Sequence, residues 1–272
     1  MTILTADSGS TKTTWLLQQD GTADIVFTTQ GINPFHMSEE TMRQIITTEL
    51  LPQSDTLMQA DEVNFYGAGC TKEKSPLLRS ILQQIFTNAS TVVVDSDMLG
   101  AAKALFGNNE GVACILGTGA NSCLYDGEKI VSNVSPMGYI LGDEGSGAVL
   151  GKTFVNLLYK GGHQEMQSRF EAETGLTQPT IIQKVYREAM PNRFLASLCP
   201  FINKNLSESW IEEMVVDCFR SFFRRNVLHY NRPDLPCSFV GSIAFYFEKQ
   251  LRHAAMLERF KIGSIQKEPI MR

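Results

Sequence analysis

Apolar and polar positions alternate in a way that sorts the first third of the chain into strands and helices. The runs TILTA and TTWLLQ read as two strands separated by a polar stretch. Asp20-Gly21 marks a tight turn, and DIVFTT predicts a third strand after it. From Ser38 to Leu51 the pattern becomes helical: Met42, Ile45, Ile46 and Leu50 recur at helical spacing, and Ser38 can cap the element. EVNFYGAG predicts a strand ending in glycines. Pro76 to Phe86 reads as a helix, with proline suited to its first turn. TVVVD is a buried strand, followed by a short helix from about Met98 to Leu105.

The pattern then restarts. GVACILGTGANSCLYDGEKIVSNVS again gives an apolar strand, a glycine and hydroxyl turn, a second strand, an Asp126-Gly127 turn and a third strand. Setting Gly9 against Gly119 aligns the modules at an offset of 119 − 9 = 110 residues and places Trp15 opposite Tyr125. This is a repeat of pattern rather than of identity. The remainder is mostly helical, including TIIQKVYREA and a long helix around Ser207 to His229. CSFVGSIAFYFEKQL reads as strand, glycine turn and helix, and FKIGSI as a last strand. The polar FGNNEG at Phe106–Glu110 predicts a boundary, giving lobes 1–107 and 108–272. The expected fold class is α/β: two lobes with mixed sheets, the second carrying helical insertions, and a ligand between them.

Composition narrows the function classes. With 272 residues, 43% hydrophobic and 19% charged, the chain fits a globular protein of one large or two ordinary domains. The formal charge of -5 argues against nucleic acid and anionic membranes as main partners. No segment reaches the roughly 18 apolar residues of a membrane span, and Thr5, Asp7 and Ser8 interrupt the first apolar run, so no secretory leader is expected. The six cysteines form no C-x-x-C pair and several lie in apolar runs, where a buried free thiol is expected. The four histidines share no metal-ligand spacing. Together these features predict a reduced, cytoplasmic protein.

The turn DSGSTKTT has a chemistry of its own. Gly9 lets successive N–H groups converge on an anion. Ser10, Thr11 and Thr13 add hydroxyls, and Lys12 adds a mobile positive charge. Asp7 at the strand end can hold Mg2+ through water. A nucleoside triphosphate with Mg2+ would use all of these, although a plain hairpin turn is rich in the same residues. No Walker loop occurs. The second turn tips the balance: Gly117, Thr118 and Gly119 repeat the donors, while Gly117 stands at the position matching Asp7, so the acid is absent. Gly241 ends a strand and Ser242 can cap the next helix, leaving backbone open to a flat base such as adenine.

Several polar residues could act on an acceptor. Asp95 ends a buried strand, and Asp97 precedes a helix that either acid could cap. A carboxylate there could accept a hydroxyl proton during phosphoryl transfer. GYILGDEGSGAVLG sets Asp143 and Glu144 among three glycines, which is more than a helix start requires and suggests close approach of a ligand. Asn33 lies in a loop before a helix, and Asn121 follows the second turn, where an amide can both donate to and accept from hydroxyls.

The order D-x-G-x-T-K, then an acid after V-V-V-D, then G-T-G, G-D-E-G-S and V-G-S-I-A resembles the acetate-kinase, sugar-kinase and actin superfamily. Within it the chain is similar to N-acetylglucosamine kinases and the BadF/BadG-type ATPases, from about Thr2 to Ile265. The resemblance implies two ribonuclease-H-like lobes of the actin-like ATPase kind, with ATP in the cleft. It implies that Asp97, followed three residues on by Gly100, is the catalytic base. It further implies that Asn33 and Asp143 contact a sugar or amino-sugar substrate, N-acetylglucosamine first. Relatives are often dimers, so a homodimer is expected. The BadF side of the resemblance implies the other class, an ATPase switch acting on a partner enzyme. Close N-acetylglucosamine kinases carry tryptophan six residues before Asp143, where this chain has Met137.

Overall fold

A computed structural model describes residues 1–9 and 12–269. The chain packs as two compact units, Met1–Ala104 with Pro269, and Leu105–Glu268. Ser10 and Thr11, expected in the first turn, lie outside the described residues.

The first unit is built on β1 (Thr2–Ser8), β2 (Lys12–Gln19), β3 (Ile25–Gln30), β4 (Glu62–Gly67) and β5 (Thr91–Ser96), with α1 (Glu39–Ile45), α2 (Ser75–Ile85) and the start of α3 (Asp97–Phe106). The sheet order is β3-β2-β1-β4-β5. β1, β2 and β3 form an antiparallel meander, and β4 and β5 join parallel to β1. Trp15, Phe65, Leu78 and Leu82 are fully buried in its core. Trp15 and Phe65 meet edge to face at 5.7 Å, and the indole N–H donates to Thr29 Oγ1 at 3.1 Å. Ser38 caps α1 as expected, accepting from the Thr41 N–H. The predicted helix to Leu51 does not stay α: it widens to a π turn at Ile46–Leu50 and then tightens to a 3-10 turn at Leu51–Gln53. The hydroxyls of Thr47 and Thr48 reach back to the carbonyls of Arg43 and Gln44, and Pro52 has no N–H to continue the ladder.

The second unit begins with β6 (Gly111–Leu116), β7 (Ala120–Tyr125) and β8 (Ile130–Val134). Helices follow: α4 (Gly138–Leu141), α5 (Gly147–Lys160), α6 (Gln164–Thr174), α7 (Gln178–Tyr186), α8 (Pro191–Ala196), α9 (Cys199–Lys204) and α10 (Ser209–Arg225). The chain then returns to the sheet with β9 (Cys237–Val240), α11 (Ser242–Tyr246), α12 (Glu248–Leu257) and β10 (Ile262–Gln266). The sheet order, read from the meander edge, is β8-β7-β6-β9-β10, with β9 and β10 parallel to β6. Strand for strand this is the arrangement of the first unit, and it is the ribonuclease-H-like topology. The helices of 138–225 form a second layer over the sheet, where Phe154, Phe170, Phe219, Phe222 and Phe239 are fully buried.

The ladders correct the alignment of the two modules. The first hairpin closes at Ser8↔Thr13 and the second at Leu116↔Ala120, so the second loop is one residue shorter. Ser8 therefore matches Leu116, and Asp7 matches Ile115 rather than Gly117. The second module still lacks the acid, but Trp15 and Tyr125 are not equivalent positions.

All six cysteines are buried and free. No helix among the described residues is long and apolar enough to cross a membrane. Phe154 touches Phe170, Phe201 and Trp210 at centroid distances of 5.7, 5.8 and 5.9 Å. Phe154→Ala is expected to cost about 3–5 kcal/mol, read as a lower urea midpoint of unfolding with little change in slope.

Candidate active site

In the first unit the parallel strands β1, β4 and β5 end in register: Asp7, Tyr66 and Asp95 form one row, and Ser8, Gly67 and Ser96 the next. Chain ends of parallel strands are where such folds leave backbone and side chains free for ligands. Asp7 is half-buried there, Gly9 and Lys12 are exposed on the adjoining turn, and the Gly9 N–H donates to the Lys12 carbonyl at 3.0 Å. Thr13 does not face a ligand. It is fully buried, its hydroxyl lies 2.6 Å from that of Ser8, and it donates to the Gln30 carbonyl at 3.1 Å. Ser8 Oγ in turn lies 2.9 Å from both the N–H and the carbonyl of Ile32. These two hydroxyls pin the loop that carries Asn33 to the base of the hairpin.

Asn33 is buried, with Oδ1 accepting the Phe35 N–H at 2.9 Å and its carbonyl accepting from His36 and Met37. Its amide lies against Gly69, whose φ of +78° and lack of a side chain make the approach feasible. Gly69 and its neighbour Cys70 were not among the expected site residues; the glycines ending EVNFYGAG were the available signal.

Asp95 and Asp97 separate in role. Ser96 Oγ accepts the Leu99 N–H at 3.3 Å, so the cap of α3 is Ser96 and neither acid is needed for it. Asp97 is the first residue of α3 and its Oδ1 accepts the Met98 N–H at 2.8 Å. Dense surroundings push its carboxyl above the ordinary range, partly offset by that N–H, although some of its surface remains accessible. The buried Cys70 thiol is pushed up to about 12, by burial first and then by the charges of Asp97 and Asp95.

In the second unit the loop 117–119 is fixed by the start of α5. The N–H groups of Gly147 and Ala148 donate to the carbonyls of Gly117 (2.8 Å) and Thr118 (3.1 Å), while Ser146 Oγ accepts from Val149. The first N–H groups of the helix, which normally lack partners, are thus satisfied by the loop. The Gly117 N–H in turn donates to the Gly119 carbonyl at 3.0 Å, so both backbone groups of Gly117 are engaged within the protein. Nothing stands within 4 Å of where a Gly117 side chain would begin.

Gly142, Gly145 and Gly147 of GYILGDEGSG serve packing within this unit, which corrects the expectation that they admit a ligand. A side chain at Gly142 would strike the Pro136 carbonyl. One at Gly145 (φ +75°) would meet Phe222 and Phe219, and one at Gly147 would meet Ala196 and Ile243. Asp143 itself has φ +52°, unusual for a residue with a side chain. Its N–H donates to the Pro136 carbonyl at 2.9 Å, and its carboxylate accepts from the Ala120 N–H and borders Gly119. Desolvation raises its pKa to about 6, with Glu144 adding and the Ala120 N–H and Lys152 opposing. Glu144 turns away to Asn226 (3.3 Å) and Arg225 (3.6 Å).

Gly241 has φ +124° and packs where any side chain would collide with the Leu116 carbonyl, so it abuts the same loop. Ser242 does not cap α11 as expected: Gly241 holds the cap position, and Ser242 is the first helical residue, exposed. Asn121 Oδ1 accepts from the Ser122 N–H and the Asn133 amide, both at 2.9 Å, so half of its amide ties β7 to β8. Met137 is 58% exposed with φ +61° and opens α4, whose Ile140 and Leu141 are each 71% exposed. The structure thus gathers Asp7, Gly9, Lys12, Asn33, Asp95 and Asp97 in one unit, and Gly117–Gly119, Asp143, Gly241 and Ser242 in the other. Asn121 is only partly available. The described residues contain no group of three or more histidine, cysteine or acidic side chains arranged to hold a metal. Mg2+ bound by one carboxylate, water and phosphate oxygens needs no such group, and half-buried Asp7 near the end of β1 fits that mode.

A solved structure from Porphyromonas gingivalis, described as a "putative N-acetylglucosamine kinase", is 46% identical over 99% of this chain and 96% of that one, with a TM-score of 0.94. This chain belongs to the N-acetylglucosamine kinase-like family. A structure from Chromobacterium violaceum with the same description shares the fold at 15% identity, covering 98% of this chain and 95% of that one (TM-score 0.73). So does a ROK-family glucokinase from Streptomyces griseus, solved with glucose and AMPPNP, at 14% identity over 99% and 95% of the two chains (TM-score 0.57). No protein-family model and no curated protein matches the sequence. As a member of this kinase-like family the chain has the two mixed-sheet lobes of actin-like sugar kinases.

Because folding raises the Asp143 pKa, the folded state holds the proton more tightly, and stability falls as pH rises from the ordinary carboxylate value through about 6. Asparagine tolerates the same backbone and has no charge to desolvate. Asp143→Asn is therefore expected to raise the thermal midpoint at pH 7.5, with the gap narrowing toward pH 4.

Proposed function

We propose that the protein is an ATP-dependent kinase that phosphorylates a hydroxyl of an amino sugar, N-acetylglucosamine. The observation that carries this reading is the 46% identical likeness, over 99% of this chain, to the P. gingivalis structure described as such a kinase; the residue roles that follow are part of the same proposal. Asp7 holds Mg2+ through water. Gly9, Ser10, Thr11 and Lys12 contact phosphate from the first unit, and Gly117, Thr118 and Gly119 from the second. Gly241 and Ser242 border the adenosine. Asn33, Asp143 and the free half of the Asn121 amide orient the acceptor.

Asp97 is the base. The attacking hydroxyl oxygen forms its bond to the γ-phosphorus, the bond to the β,γ-bridging oxygen breaks, and the hydroxyl proton passes to the Asp97 carboxylate. ADP leaves with the bridging oxygen. Mg2+, when bound, neutralises charge on the phosphates. Lys12 contributes charge on the same side. A raised carboxyl pKa suits this task because it brings the base closer to the operating pH. The same reading includes a cytoplasmic location, lobes divided near 107/108 and a homodimer, the last open to light scattering on the purified chain.

Asp97→Asn is expected to lower kcat about 10²–10⁴-fold while ATP affinity, measured by calorimetry, is retained; unchanged turnover removes Asp97 from the role. The base works deprotonated, so kcat/KM should rise with pH through the raised Asp97 pKa and then level, with the midpoint above ordinary carboxylates. Coupled ADP release across sugars and amino sugars identifies the acceptor. Gly117→Ala should leave the thermal midpoint unchanged, since the position is open, yet raise KM for ATP.

A further inference from the structure

The side chains of Ser8 and Thr13, which close the first hairpin, are completely buried, and their hydroxyls form one small network. The two oxygens lie 2.6 Å apart. Ser8 Oγ lies 2.9 Å from both the carbonyl and the N–H of Ile32, and Thr13 Oγ1 lies 3.1 Å from the same N–H. Both backbone groups of Ile32, just past the end of β3, are thus bonded to the pair.

The fold itself does not require these hydroxyls. The second unit repeats the strand order with Leu116 and Ala120 at the equivalent ladder positions. An apolar pair avoids the cost of drying two hydroxyls. In the first unit the pair reaches the loop that carries Asn33. Core packing alone would not orient that loop. The Ile32 side chain is completely buried in the core, but apolar burial has no direction. Hydrogen bonds do, and bonds to both the N–H and the carbonyl of Ile32 fix the backbone that leads into Asn33. There the Phe35 N–H holds Oδ1 at 2.9 Å, which sets the amide so that Nδ2 can donate to a hydroxyl. A side chain at Gly69 would overlap Oδ1, so the amide is confined from that side as well.

We propose that Ser8 and Thr13 are positioning residues for the sugar: their buried hydroxyl pair sets the backbone of Ile32 and thereby holds the Asn33 amide where it meets a sugar hydroxyl. This rests on the reading that Asn33 orients the acceptor. The nucleotide turn depends less on the pair, because its flanking strands are paired from Thr2↔Gln19 to Ser8↔Thr13.

The test uses the full chain, with the KM for N-acetylglucosamine from coupled ADP release, ATP affinity from calorimetry, and the thermal midpoint. The double variant Ser8→Ala/Thr13→Val removes both hydroxyls and should raise the sugar KM about tenfold, the worth of one hydrogen bond, with ATP affinity unchanged. Thr13→Ser keeps both hydroxyls but deletes a buried methyl. It should lower the thermal midpoint while the sugar KM stays at the wild-type value. In an Asn33→Ala background the double variant should add nothing further to the sugar KM, because the pair acts through Asn33. If the double variant does not fold, Ser8→Ala, which loses the shorter bonds to Ile32, carries the same comparison. An unchanged sugar KM overturns the proposal. So does an equal rise in the Asn33→Ala background, or a rise in Thr13→Ser that follows its loss of stability. If Asn33→Ala itself leaves the sugar KM unchanged, the role of Asn33 falls and the proposal with it. Absence of turnover with every sugar removes the kinase reading instead.

Discussion

The second unit depends on one backbone contact: the first turn of α5 seated on the carbonyls of Gly117 and Thr118. A helix start has N–H groups to satisfy and a short glycine turn has carbonyls to satisfy, and here each answers the other. The seat is close, so much of the surrounding sequence is small. Gly147 fits under Ala196 and Ile243, Gly145 fits against Phe222 and Phe219, and Gly241 slides beneath Leu116. Asp143 takes its left-handed backbone in the same approach, and so arrives beside Gly119 and the Ala120 N–H. Loop position, acid position and the strand–helix turn are one packing solution.

The first unit solves the same problem with side chains. Its hairpin is anchored by the hydroxyls of Ser8 and Thr13, which reach across to Gln30 and Ile32 and fix the Asn33 loop. The Asn33 loop and the β1–β2 hairpin are therefore coupled through two buried oxygens. The second unit, with Leu116 and Ala120 at the equivalent ladder positions, has no such hydroxyls and borrows a helix instead.

Most strands were legible because half-buried and buried strands write their period directly into the sequence, and Ser38 and Pro76 announced their helices. The acids at strand ends were legible for the same reason: a carboxylate interrupting an apolar run stands out. The glycines of GYILGDEGSG were misjudged because glycine carries the same sign whether a ligand or a neighbouring helix makes the close approach. Thr13 and Ser242 were misjudged because a hydroxyl in a turn does not reveal which way it faces. The offset between modules was misjudged because one residue of loop length is invisible until the ladder closes.

The one-turn helix α4 holds its side chains out of the core. Met137, Ile140 and Leu141 are exposed, and the segment is held through backbone groups, including the Tyr139 carbonyl bonded by Lys152 at 2.8 Å. Residues in such a place can be exchanged with little effect on folding, yet they lie within six positions of Asp143. Substitutions at these three side chains can therefore accumulate without compensating changes elsewhere.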